Sequence, residues 1–217
     1  MERIGFLFDL DGVIVDTAKY HFLAWKDLAQ ELGIPFTLQD NERLKGVSRM
    51  ASFEVILELG NRQMSQEEKL HYCTRKNGVY LSYIDQLVPE EVLPGAREFL
   101  EACRSAGIGI ALGSASKNAR RILDKLELTH LFDAIIDGTV VSAAKPDPEV
   151  FTKGAEALGL PYSRCIVFED SFSGVEAAHR GGMRAVGVGD PRDLPEADIH
   201  IAGFAGLTPE KLLKMLP

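Results

Sequence analysis

Ile4-Gly5-Phe6-Leu7-Phe8 is a short apolar run that stops at Asp9-Leu10-Asp11-Gly12. An unbroken run of this kind predicts a strand covered on both faces of a parallel sheet, and Gly12 marks the turn after it. From Thr17 the spacing changes. Ala18, Phe22, Trp25, Leu28, Ala29 and Leu32 form a helical stripe that ends at Gly33. A second helix fits residues 49–59, with Met50, Phe53, Ile56 and Leu57 on one side. A third opens on the capping-box pattern Ser65-Gln66-Glu67-Glu68, runs to about Leu87 and is stopped by Pro89. Residues 17–87 thus predict helices with no strand between them.

Beyond Pro94 the two periods alternate. Helices fit 95–106, 118–126, 148–158 and 174–180, three of them followed by Gly107, Gly159 and Gly181. Strands fit 108–112, 134–136, 165–168 and 184–188, and an amphipathic helix with Leu212, Leu213 and Leu216 on its apolar side closes the chain. Strand–helix alternation predicts a doubly wound, Rossmann-like parallel α/β sheet. The expected organisation is an α/β core, residues 1–16 and 88–217, with a small all-helical cap, residues 17–87, inserted after the first strand. Joints near 14–17 and 88–92 would let the insertion hinge over the sheet edge.

With 217 residues, 46% of them hydrophobic, the chain has material for a real core. Its net charge of −8 makes a nucleic-acid partner improbable. Three cysteines with no C-x-x-C spacing suggest neither a disulfide framework nor a zinc site. They read as small buried apolar groups in a reducing compartment. No apolar run has the length of a signal peptide or a membrane helix, so the expectation is a cytoplasmic monomer without a membrane partner.

In open parallel sheets, ligands bind beyond the carboxyl ends of the strands. Here those ends carry Asp9 and Asp11, then Ser114, then Lys145 in the loop after the third strand, then Glu169 and Asp170. Each piece alone has a bland account. Asp-x-Asp can be a solvated turn, Lys-Pro a loop, Ser114 a helix N-cap, and Glu169-Asp170 a complement to a helix dipole. Those accounts do not predict the joint placement. Several carboxylates together need a cation, and oxygen-only ligands suit Mg²⁺. Of Asp9 and Asp11, one can bind metal and attack while the other handles a proton. A hydroxyl and a lysine suit the oxygens of a transferring phosphoryl group. The chemistry inferred is Mg²⁺-assisted phosphoryl transfer through an aspartyl-phosphate.

Four runs then carry a resemblance. Phe8-Asp9-Leu10-Asp11-Gly12-Val13, Leu112-Gly113-Ser114-Ala115-Ser116, Lys145-Pro146-Asp147-Pro148-Glu149-Val150-Phe151 and Phe168-Glu169-Asp170-Ser171 with Gly174 resemble the four motifs of the haloacid dehalogenase-like (HAD-like) phosphotransferases. The helical insertion resembles their small cap. Asp16-Thr17-Ala18 with Tyr20-His21-Phe22 and Trp25, Leu44-Lys45-Gly46-Val47-Ser48-Arg49 with Ser52, Arg75-Lys76-Asn77, and Ser114–Asn118 are similar to the β-phosphoglucomutase branch.

The resemblance implies roles. Asp9 would be nucleophile and metal ligand, and Asp11 the general acid/base with its carbonyl on the metal. Glu169 and Asp170 would be the other ligands, and Ser114 and Lys145 the phosphoryl clamp. Thr17, His21, Trp25, Lys45, Gly46, Arg49, Ser52, Lys76, Ala115, Ser116 and Asn118 would bind substrate or phosphate. Arg49 would hold the phosphate not being transferred. Lys76 and His21 would position substrate or couple closure to Asp11. The implied reaction is β-glucose 1-phosphate to glucose 6-phosphate through a bound glucose 1,6-bisphosphate, the alternative a sugar-phosphate phosphatase on the same scaffold.

Gly113 and Phe172 stand where variation within that family is expected, and concern only local loop shape. Arg43, Lys45 and Arg49 form a basic segment that reads either as a solvated face or as a second phosphate site. Trp25 at helical spacing also fits plain cap core. His71, His130, His179 and His200 carry no partner pattern.

Overall fold

The structure is a computed structural model that describes residues 3–44 and 48–216. The chain runs β1 (Gly5–Phe8), α1 (Ala18–Glu31), α2 (Leu38–Glu42), α3 (Arg49–Leu59), α4 (Gln66–Ile84), α5 (Ala96–Ser105), β2 (Gly109–Gly113), α6 (Ala119–Lys125), β3 (Ala134–Ile136), α7 (Glu149–Leu158), β4 (Cys165–Glu169), α8 (Phe172–Arg180), β5 (Arg184–Val188), β6 (Ile199–Ile201) and α9 (Pro209–Met215). The strands stand in the order β3-β2-β1-β4-β5-β6, every neighbouring pair parallel. This is the doubly wound α/β sheet that the sequence predicts.

Two compact units divide the chain, Met1–Asp16 with Leu87–Pro217, and Thr17–Gln86. In the first unit, β1 and β4 are fully buried, which is why their sequences are apolar up to Glu169, the last residue of β4. Phe8 is in register with Phe168, and the two rings stack with centroids 4.5 Å apart. Phe6, Phe99 and Phe204 pack around them. The stack matters because Asp9 and Glu169 follow these residues directly. The register delivers both carboxylates to the same level of the sheet edge. Asp9 N–H donates to Phe168 O at 3.0 Å, extending the ladder one residue past the strand.

Outside the sheet the same unit ties the two crossings to the second unit side by side. Val15 and Val92 form an antiparallel bridge, and Leu93 N–H donates to Ile14 O at 2.9 Å.

The second unit is helical. Trp25, Leu28, Ala29, Phe53, Ile56 and Leu57 form its core. Its helices α2, α3 and α4 start on side chains that satisfy free N–H groups. Thr37 with Asp40 and Ser65 with Glu68 make reciprocal capping boxes, and Ser48 Oγ accepts from Ala51 N–H at 3.3 Å.

The structure corrects several expectations. The short α2 has no apolar stripe and was legible only as Thr37-x-x-Asp40. β6 adds a sixth strand. α4 ends at Ile84, three residues short of Leu87. α8 starts two residues early, because Ser171 Oγ accepts from Gly174 N–H and fixes the N-terminus there. Of the leucines expected on the apolar side of α9, Leu212 is buried while Leu213 is exposed. Arg43 pairs with Glu58 at 3.6 Å on the surface, which fits the solvated-face reading for that residue. His179 pairs with Asp198 at 3.0 Å and His200 bonds Leu194 O at 2.7 Å, so both have partners their local sequence does not announce. Cys73, Cys103 and Cys165 are buried and unbridged. No helix among the described residues is long and apolar enough to cross a membrane.

Candidate active site

Asp9, Glu169 and Lys145 meet at the carboxyl edge of β1 and β4. Lys145 Nζ donates to Asp9 Oδ1 and, at 2.6 Å, to Glu169 Oε1. The Lys145 side chain is 11% exposed and Glu169 1%. Glu169 Oε2 accepts from Ser171 N–H at 2.9 Å and from Ser171 Oγ at 2.8 Å, so each of its oxygens carries a hydrogen bond. Burial first, then the charges of Glu169 and Asp11, push the Asp9 carboxyl up to about 8, against the opposing charge of Lys145. The same carboxylates hold the Lys145 ammonium above its ordinary value, despite burial. Asp170 faces solvent. The protein crowded around it, then Glu169 and Asp11, push its carboxyl up to about 7.

Two glycines make room for these carboxylates. Gly12 has φ +74°, and a Cβ there would lie 3.0 Å from Asp170 Cβ and closer still to its carboxyl group. A Cβ on Gly174 would lie 2.5 Å from Glu169 Cγ and closer to its carboxyl. Gly113 serves differently. A Cβ there would be 2.7 Å from Phe151 Cδ1, so the glycine lets the Phe151 ring lie against β2. Lys145 Nζ sits 4.8 Å above that ring. The expected variation at Gly113 therefore bears on the support under the lysine.

Ser114 is buried at the end of β2, its N–H bonded to Ile136 O and its Oγ accepting from Ser116 N–H at 3.1 Å. It is a strand-end residue and not a helix cap. Ala115 is exposed, Ser116 Oγ accepts from Asn118 N–H at 3.2 Å, and Asn118 precedes α6 as its N-cap. Phe172 is 56% exposed at the start of α8.

A single lysine thus faces an edge bearing Asp9, Asp11, Glu169 and Asp170. Among the described residues no three His, Cys, Asp or Glu side chains close into a ready cation cage. The donor set nevertheless fits Mg²⁺, which prefers oxygen and takes one or two carboxylates, with water and phosphate oxygens completing its shell. The excess of buried negative charge is the condition such an ion relieves.

The helical unit holds a second cluster. Lys76, on α4, is 2% exposed. Its Nζ lies 2.8 Å from His21 Nδ1, 4.6 Å from the Trp25 ring centroid and 5.2 Å from that of Tyr80. His21 stacks on Tyr80 at 4.0 Å, and Tyr80 OH donates to Thr17 Oγ1 at 3.3 Å. No carboxylate pairs with Lys76 among the described residues. Burial first, then the charge of Arg49, bring the Lys76 ammonium down to about 7. The surrounding protein, then Lys76 and Arg49, hold His21 down to about 3. Arg49 opens α3 and is exposed; Ser52 is buried on the same helix. Lys45 and Gly46 lie outside the described residues. The structure thus brings together Thr17, His21, Trp25 and Lys76, with Arg49 near enough to act on the cluster electrostatically.

Sequence reasoning missed Glu149, whose carboxylate accepts three hydrogen bonds from the loop before Lys145. Its place in the third motif was the one available signal.

Residues 5–182 match the haloacid dehalogenase-like hydrolase family. The chain is 42% identical over 208 residues to a β-phosphoglucomutase of Bacillus subtilis, covering 95% of this chain and 92% of that one. It is 33% identical over 214 residues to a phosphorylated carbohydrates phosphatase of Thermotoga maritima, covering 97% and 96%. Among solved structures, a β-phosphoglucomutase of Clostridium difficile superposes with a TM-score of 0.87 at 40% identity, covering 98% of this chain and 96% of that one.

Proposed function

The chain belongs to the haloacid dehalogenase-like hydrolase family, and from that premise we propose that it is a β-phosphoglucomutase-like isomerase. It interconverts β-D-glucose 1-phosphate and D-glucose 6-phosphate through a phosphorylated Asp9 and a bound glucose 1,6-bisphosphate. One observation carries the choice of isomerase: the helical unit has its own cationic site, a buried Lys76 with the exposed Arg49 nearby and no balancing carboxylate among the described residues. Such a cluster is built for an anion. An isomerase with a bisphosphate intermediate needs two phosphate sites, one on each unit, whereas a phosphatase needs one.

In the first half-reaction the sugar O6 attacks the phosphorus carried by Asp9. The phosphorus–Oδ bond breaks, and the hydroxyl proton passes to Asp11. The bisphosphate turns end for end. Asp9 then attacks the phosphorus on O1, the phosphorus–O1 bond breaks, and Asp11 returns its proton to O1, so protons and phosphoryl groups balance over the cycle. Lys145 and Ser114 hold the equatorial oxygens of the group in transit. Asp9, Glu169, Asp170 and the Asp11 carbonyl would hold Mg²⁺, which offsets the negative charge of phosphate and carboxylates.

The test mixes the protein with β-glucose 1-phosphate, a trace of the bisphosphate and Mg²⁺. Glucose 6-phosphate as the product supports isomerisation. Free phosphate supports the second reading, a sugar-phosphate phosphatase, which the similarity to the Thermotoga phosphatase favours. Asp9→Asn should abolish either reaction, and turnover in that variant removes Asp9 from its role.

A further inference from the structure

We infer that Glu149 is a positioning residue for Lys145, clamping the loop that carries the lysine onto the first turn of α7. The inference rests on the reading above that Lys145 grips the group in transit. Glu149 Oε2 accepts from Ser142 N–H at 2.7 Å, Ser142 Oγ at 2.9 Å and Ala143 N–H at 2.8 Å. Its other oxygen accepts from Lys153 Nζ at 2.6 Å, and the same ammonium donates to Val140 O at 2.6 Å. Two side chains one turn apart thus hold residues 140, 142 and 143. Nearer the lysine, Asp147 N–H donates to Ala144 O at 3.0 Å, and Asp147 Oδ1 accepts from Glu149 N–H at 2.9 Å. Phe151, two residues beyond Glu149, supplies the ring beneath the ammonium. One helix turn therefore anchors the lysine's backbone and supports its charged end.

A bland account of Glu149 exists. An acid in the first turn of a helix complements the dipole, and a Glu–Lys pair four apart steadies the helix by a few tenths of a kcal/mol. That account explains neither why the carboxylate collects three donors from a different segment nor why Lys153 reaches Val140. Hydrogen bonds from Lys153, Ala143 and Ser142 hold the Glu149 carboxyl down to about 2, so the clamp stays charged at any working pH.

The test uses the full chain with Mg²⁺, β-glucose 1-phosphate and a trace of bisphosphate, following glucose 6-phosphate and free phosphate together. Glu149→Gln should lower kcat about tenfold and Glu149→Ala about a hundredfold, the scale of a misplacement near 1 Å, with KM within about twofold of wild type. Amide exchange at Ser142 and Ala143 should accelerate in both variants, while the melting temperature stays within a few degrees. Glu149→Asp should recover part of the rate. Lys153→Met, which alters only the exposed half of the clamp, should cost roughly threefold, the worth of one exposed pair, and decides the matter if Glu149 variants fail to fold. Unchanged exchange at Ser142 and Ala143 overturns the clamp. Faster exchange with wild-type kcat overturns the positioning role, as does a loss of rate that follows the fall in melting temperature. Lys145→Gln separates the two levels. Wild-type turnover there overturns the reading of Lys145 and this inference with it, whereas an inactive Lys145→Gln beside a fully active Glu149→Gln overturns the inference alone.

Discussion

Replacing a helical glycine by alanine ordinarily stabilises a protein by about 1 kcal/mol. Gly174→Ala, at the third position of α8, is expected to do the opposite. The new Cβ would lie 2.5 Å from Glu169 Cγ and nearer still to its carboxyl group. Glu169 cannot step aside cheaply. It is buried, Ser171 holds one oxygen twice, and Lys145 holds the other. Displacing the carboxylate breaks two or more hydrogen bonds to a charged group, at about 1.5–3 kcal/mol each. After subtracting the gain in propensity, the net loss is roughly 2–5 kcal/mol. For a chain of this size that lowers the melting temperature by about 4–20 °C. The control is Gly78→Ala in α4, where a Cβ meets nothing within 4 Å. That substitution should stabilise by about 0.5–1 kcal/mol. Urea denaturation followed by circular dichroism, with a thermal scan, gives both signs. A Gly174→Ala protein as stable as wild type would refute the claim that the packing of Glu169 dictates glycine there.

Arg49→Ala should lower isomerase kcat/KM by roughly 30-fold or more, as expected for loss of a charge-assisted phosphate contact, yet leave phosphorylation of Asp9 by acetyl phosphate in place; equal loss in both assays counts against a second phosphate site on the helical unit. Lys76 makes the stability of that unit depend on pH. Its ammonium falls from an ordinary 10.5 to about 7 on folding, so between those values the unfolded chain holds a proton the folded one has lost, and stability rises with pH across that window. Lys76→Met should remove this rise, measured as the difference between the two denaturation profiles from pH 6 to about 10; parallel profiles would contradict it. An anion bound at the cluster favours the charged lysine, so inorganic phosphate should bind less tightly at pH 8.5 than at pH 6.5 in wild type, and with less pH dependence in Lys76→Met. Excess chelator should silence turnover and added Mg²⁺ restore it, and full activity in chelator would remove the metal from the mechanism.

Much of the fold was legible because buried parallel strands leave a simple trace. β1, β4 and β5 are nearly unbroken apolar runs, and Gly107 and Gly159 mark helix ends. β6 was not, since three residues, Ile199-His200-Ile201, are too few to establish a period. Leu213 repeats at helical spacing yet faces solvent, because periodicity finds an apolar stripe and not what covers it. In the site, Asp9, Glu169 and Lys145 were legible from strand ends alone, for the sheet imposes their meeting through the Phe8–Phe168 register. Glu149, His179 and the Gly113–Phe151 contact depend on partners dozens of residues away or on a neighbouring loop, and no local pattern encodes them.

The bridge between Val15 and Val92 says something about ancestry and engineering. A segment that leaves its host and returns to it through adjacent backbone leaves the two severed ends already close together, so excising it would require only a short turn as replacement. Closing the ends of even a long insert adds only an entropy that grows with the logarithm of its length. Residues 17–86 are in this sense a module grafted at a single point on the surface of the sheet domain, which keeps every strand and its aromatic stack without them. Exchanging that module for another whose ends lie equally close should leave Asp9, Lys145 and Glu169 where they stand.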